Sequence, residues 1–154
     1  MCSALAPEGG PAPRLHRLLE VWLDLLEGRE LPETASRLAL ESKALTFAGL
    51  APFLLRCARA GASLPRLAGF EPSAGGAVAQ GGKPVKAGDL AALEELRRTP
   101  LSQTPTRAAP GKSVHWVLAD FIEFQIGRAL RSRPLLTDLA AGIGGSGIRR
   151  QKEE

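Results

Sequence analysis

Hydrophobic positions recur at helical spacing in two leucine-rich stretches, Arg14 to Ala60 and Ser113 to Ala141, separated by a long run dominated by Gly, Pro and Ala. In the first stretch Leu15, Leu18, Leu19, Val21, Trp22, Leu23, Leu25 and Leu26 occupy a wide sector of the helical wheel, with His16, Arg17, Glu20, Asp24 and Glu27 opposite. A stripe facing a single core needs only ~100° of arc, so this amphipathic helix has apolar surface to offer two neighbours. Pro13 starts it and Gly28 ends it. Leu15-His-Arg-Leu18-Leu19 matches the LxxLL pattern that docks into apolar grooves. Leu15, Leu18, Leu19, Trp22 and Leu26 are therefore the candidate partner-binding residues, although the face continues unbroken through Leu25 and favours burial in the protein's own fold.

Pro32 suits the first turn of a second helix carrying Leu38, Leu40 and Leu45, and Pro52 kinks or splits the stretch Lys43 to Ala60 near Gly49. Across 31–50, small or apolar residues at Ala35, Leu38, Leu40, Leu45 and Ala48 fit a hairpin of two crossing helices, as in a helix-turn-helix. Its reading surface offers Ser42, Lys43, Thr46 and Phe47, without the Arg, Asn or Gln that make paired contacts to base edges. Between 61 and 88 the composition cannot repay its ordering entropy by burial and reads as loose. Asp89 caps a short helix with Leu90, Leu93 and Leu96 on one face and Glu94 four residues before Arg98; Thr99 and Pro100 stop it, and 99–112 is a second flexible connection. Ser113 caps a helix whose apolar residues Val114, Val117, Leu118, Phe121, Ile122, Phe124 and Ile126 nearly surround it, which makes it the central core element. Pro134 breaks this helix and begins a last short one that ends at Gly142.

These elements predict an all-α fold: a small single-domain bundle of roughly four to six helices with a long, partly disordered Gly/Pro/Ala-rich middle segment. The helical domain covers 14–141, and 1–13 and 142–154 form disordered tails. Composition agrees, because 154 residues with 44% hydrophobic content suffice for one core, and that content is mostly Leu and Ala with few β-branched residues.

Charge alters little. The chain has no Asn, no Tyr and far more Arg than Lys, as GC-rich codons produce, so part of the pI of 9.6 is compositional. The net charge of +4 is spread along the chain rather than gathered in one block, which speaks against nucleic acid as a partner. Cys2 and Cys57, the latter expected within a helix, fit a reducing compartment. Met1 to Pro13 contains Glu8 and no basic residue, unlike a signal peptide, and no apolar run approaches the ~20 residues that span a bilayer. The expected location is cytoplasmic or nuclear.

Candidate chemistry is sparse. His16 and His115 have no Ser, Cys or carboxylate at a motif spacing, Asp120 and Glu123 share a solvated helix face, and CxxC, HxxxH and HExxH are absent. The GxGxxG match from Gly142 to Gly147 follows a helix instead of a strand, the wrong setting for a phosphate loop. No catalytic, cofactor-binding or metal-binding residue is assigned, and no enzyme activity. Thr99-Pro100 and Thr104-Pro-Thr-Arg107 are candidate phosphorylation sites, where added negative charge meets Arg97, Arg98 and Arg107. The pattern points to a non-catalytic protein-protein interaction module, an adaptor or subunit that buries an apolar helical face against another protein or a second copy. The alternative is a nucleic-acid-binding protein using the 31–50 hairpin, and the third reading is an enzyme without a recognisable motif.

Overall fold

The computed structural model of the chain describes residues 5, 12–28, 33–103 and 110–127. Helix α1 (Pro13–Glu27) starts with proline in its first turn, where a missing N–H costs nothing, and stops at Gly28. Helix α2 (Glu33–Phe47) runs unbroken until Gly49, whose φ of 75° ends it. Helix α3 (Ala87–Arg98) closes at Thr99, whose hydroxyl donates to the Glu95 carbonyl at 2.8 Å. Helix α4 (Lys112–Ile126) ends at the left-handed Gly127. The last two begin slightly ahead of their expected caps: Asp89 lies in the first turn of α3, and neither Lys86 nor Gly111 supplies a capping side chain.

Two expectations fail within the first leucine block. The 31–50 hairpin does not exist, because Glu33–Phe47 is one helix with no turn at Ala39. Nor does the chain return to helix after Pro52. Residues 53–63 instead join the sheet through the bridge Phe53↔Gly76 and fold back on themselves through Arg56↔Ser63, and Cys57 sits at the start of a turn. Main-chain bonds explain the outcome, since Ala77 donates to Phe53 at 2.8 Å and Ala58 to Ala77 at 2.7 Å, partners that a helix over these residues could not offer. The Cys57 sulfur accepts from the amides of Ala79, Ala60 and Arg59, which hold its thiol below the usual pKa and join this turn to the segment after residue 78.

The larger correction concerns fold class. The protein is α+β, because the middle segment that reads as loose folds into a three-stranded antiparallel sheet of β1 (Leu67–Glu71), β2 (Gly76–Val78) and β3 (Lys83–Lys86), in the order β2-β1-β3. A short 3-10 turn, Pro72–Ala74, joins β1 to β2, and four residues then carry the chain over β1 to its other edge. That crossing and the bridge from Phe53 explain two of the glycines. A Cβ on Gly69 would stand 1.6 Å from the Gly81 carbonyl oxygen, and one on Gly76 would stand 2.3 Å from that of Phe53. Backbones approach there to distances that a side chain forbids, so residues that lower strand propensity are the ones this sheet requires.

Register settles which face is buried. Ala68 opposes Val85 while Phe70 opposes Ala77 and Lys83, so Ala68, Phe70, Ala77 and Val85 share an inner face. Helix α4 packs on it, with Phe70 and Phe121 edge to face at 5.8 Å and an ion pair from Lys83 to Asp120 beside them. The other side of α4 meets α2 and α3, and α2 packs in turn against α1. Val114, Val117, Leu118, Phe121 and Ile122 are all buried, as a helix placed between two layers must be.

Candidate functional site

A pocket of about 470 Å³ opens where α1, α2 and the turn Leu101–Gln103 meet. Along α1, Arg14, Arg17, Leu18 and Val21 reach it, the i, i+3, i+4, i+7 pattern of one helix face. From α2 come Lys43 and Phe47, four residues apart and on one side of that helix. Pro100 and Leu101 complete the wall, so an apolar lining carries three cations. Leu18 and Leu101 are core residues, whereas the Phe47 ring stays 43% exposed.

The cations differ in their electrostatic surroundings. Lys43 is buried along its stem and donates from Nζ to the Arg97 carbonyl at 2.6 Å, and burial, followed by the Arg97 guanidinium, lowers its pKa. Arg97 and Arg98 are occupied by Glu94, whose Oε1 accepts from them at 2.7 and 2.6 Å. Burial alone would raise the Glu94 pKa, but these hydrogen bonds keep it below the usual carboxylate range. Arg17 stands 3.8 Å from Glu20 in an exposed pair, a geometry worth little in water. No carboxylate lines the pocket, so its rim offers positive charge to an incoming anion.

A second polar group lies inside the helical layer. Arg37 donates from Nη2 to Nδ1 of His115 at 2.5 Å and approaches Glu41 at 3.8 Å. Burial, opposed in part by Arg37, raises the Glu41 pKa to about 7. Burial and the Arg37 charge together push His115 down to about 4. The cluster joins α2 to α4 and has none of the geometry of an acid-base pair serving a cavity. Among the described residues no group of three or more His, Cys, Asp or Glu side chains could hold a metal ion, and no helix is long and apolar enough to cross a membrane.

The expected partner-binding set does not form one open face. Leu15 and Leu18 are core residues, 5% and 7% exposed, while Leu19, Trp22 and Leu26 are half-buried along the same helix. Thr99 is bound into the end of α3, and Thr104 lies outside the described residues, as do the short helix ending at Gly142 and the glycine-rich match that follows it. On the expected reading surface Ser42 is fully buried and donates to the Ala39 carbonyl, which removes it from contact with a ligand. Sequence reasoning names Lys43 and Phe47 on the surface of the 31–50 hairpin but does not join them to Arg14 and Arg17. The spacing within each pair is legible there, but only the packing of α1 on α2 brings the pairs together.

Comparison with known proteins supplies the context. Residues 1–134 match the family model described as Recombination protein O C terminal. The DNA repair protein RecO of Anaeromyxobacter dehalogenans strain 2CP-C is 34% identical over 146 residues, covering 88% of this chain and 57% of that protein. The DNA repair protein RecO of Myxococcus xanthus strain DK1622 is 33% identical over 154 residues, covering 94% of this chain and 59% of its own length. The chain thus spans under two thirds of the length of these relatives. No solved structure matches it. These relatives overturn the interaction-module reading, which rests on apolar helix faces that the fold itself covers in large part, and the expectation that nucleic acid is not a partner, which rests on the even spread of charge along a sequence that does not determine where charges meet in space. The match of the family model over most of the chain places this protein in the Recombination protein O C-terminal family.

Proposed function

We propose that the chain serves DNA repair and recombination as a non-catalytic domain that contacts DNA through the cationic rim between α1 and α2. One observation carries this reading: Arg14, Arg17 and Lys43, dispersed in the sequence, line a single pocket that no carboxylate enters. Phosphate contacts dominate the affinity of proteins for DNA, and each contact releases counterions. Two arginines one helical turn apart can follow successive phosphates, and the partly buried Lys43 gains by exchanging a carbonyl for an anion. The relatives come from bacteria, so a nuclear location is not supported and the cytoplasm is the proposed site of action.

Fluorescence anisotropy of a labelled oligonucleotide across a salt series tests the reading. Log affinity should fall linearly with log salt, and Arg14→Ala with Arg17→Ala should reduce that slope by about two, close to one for each arginine that pairs with a phosphate. Single-stranded and duplex DNA should both bind less tightly to the double variant. An unchanged slope and affinity for both DNA forms would remove the rim from the interface.

A further inference from the structure

We propose that Lys43 is an acylation site whose donor is a small acyl phosphate, held with its phosphate on Arg14 and Arg17 and its acyl carbon against the Lys43 amine. Three features of the space between α1 and α2 fit that class of donor. Arg14 and Arg17, exposed and nearly one helical turn apart on α1, offer guanidinium forks that match phosphate oxygens in pairs. Leu18, Val21 and Leu101 line the same space with hydrocarbon, against which a short acyl group escapes water. The volume of about 470 Å³ admits such an organic anion whole.

Lys43 supplies the nucleophile. The residue is only 9% exposed, and its Nζ donates to the Arg97 carbonyl at 2.6 Å, which fixes the nitrogen at the wall. Burial, and then the Arg97 guanidinium, lower its pKa, so more of it is neutral amine than in an ordinary lysine. Such an amine can keep one N–H on the carbonyl and attack with its lone pair. A C–N bond then forms between Nζ and the acyl carbon, and the C–O bond to phosphate breaks. The phosphate departs with that electron pair and takes the proton released by the amine, leaving an uncharged amide. Lys83 is instead paired with Asp120, and Lys86 and Lys112 are exposed and do not line this space. The consequence for DNA rests on the DNA-contacting reading above: acylation deletes one of the three cations and fills the apolar space beside the other two.

The test incubates the full chain with acetyl phosphate and follows each lysine by mass spectrometry of its peptides. Lys43 should gain acetyl about tenfold faster than Lys83, Lys86 or Lys112, a modest share of what orientation in a site can supply. Inorganic phosphate should slow Lys43 by competition. The uncharged donor p-nitrophenyl acetate has no use for the arginines. Arg14→Ala with Arg17→Ala should therefore cut the ratio of the Lys43 rate with acetyl phosphate to that with the ester by about tenfold, the loss of one charge-assisted hydrogen bond or more. Both arginines are exposed, so a circular dichroism melt should show the double variant folded. The acetylated chain should bind DNA with a salt slope smaller by about one. Equal acetylation of the four lysines overturns the proposal, and so does an unchanged donor ratio in the arginine variant. Selective, arginine-dependent acetylation of Lys43 with DNA affinity and salt slope unaltered would uphold the acylation site and remove Lys43 from the DNA interface.

Discussion

Phe70→Ala is expected to destabilise the protein by about 3–5 kcal/mol, the usual cost of emptying a buried aromatic site. Phe70 is 2% exposed, sits at the middle of the inner sheet face and meets Phe121 of α4 edge to face, with ring planes at 82°. Removing the ring deletes buried apolar surface and that oriented pair, which adds about 0.5–1.5 kcal/mol beyond area. The sheet cannot collapse into the space, because the crossing chain lies against β1, Gly81 on Gly69 and Gly82 on the backbone of Phe70. Urea denaturation followed by circular dichroism measures the loss. Phe53→Ala is the control: its ring is 62% exposed, and removing it should cost less than about 1 kcal/mol. Equal effects of the two substitutions would mean that the sheet is not anchored on α4 through Phe70.

Glu41→Gln is expected to change how stability depends on pH. The folded protein holds Glu41 with a pKa of about 7 against an ordinary value of 4.5, so between these values the native state keeps a proton that the unfolded chain releases. Stability therefore falls as pH rises from 4.5 to 7, and above that the full cost of a buried carboxylate applies. His115 works in the opposite sense. With a folded value of about 4 against 6.5, its native ring stays neutral where the unfolded ring is charged, so stability falls as pH drops from 6.5 to 4. In the overlap from 4.5 to 6.5 the two slopes oppose each other, and the parent protein should respond weakly.

The glutamine variant loses one of the two opposing slopes. At about pH 8 it should exceed the parent in stability by about 2–3 kcal/mol, and near pH 4.5 the two should agree. Its stability should also decline on acidification from 6.5, exposing the His115 contribution. Parallel curves for variant and parent across this range would sink the assignment. The cluster is structural, since Arg37, Glu41 and His115 connect α2 to α4 and do not line the pocket.

For DNA contact the arrangement of α1 against α2 matters more than any single motif. Arg14 and Arg17 project from a helix that Leu15 and Leu18 lock into the core, so the guanidinium groups are borne by a fixed scaffold. Exposed partners on a rigid helix lose less freedom on binding than the same residues in a loop. The sheet contributes indirectly, by covering one side of α4 while α2 and α3 cover the other.

Periodicity alone determined much of the helical layer. Pro13 and Gly28 mark the limits of α1, and the apolar positions Leu90, Leu93 and Leu96 of α3 and Val114, Val117, Leu118, Phe121 and Ile122 of α4 are buried as their spacing requires. Local signals suffice there because an α-helix forms its hydrogen bonds within itself, leaving packing to choose only the face. The sheet had no such signal. Its strands are short and rich in Ala, Gly and Pro, and their bonds run to residues distant in sequence; they form because Phe70 finds Phe121 and because glycines at 69 and 76 admit a neighbouring backbone. The same contrast holds for the site. Each helix carries its own pair, Arg14 with Arg17 and Lys43 with Phe47, but charge summed along a chain says nothing of proximity, and only the packing of α1 on α2 turns scattered cations into one cationic pocket.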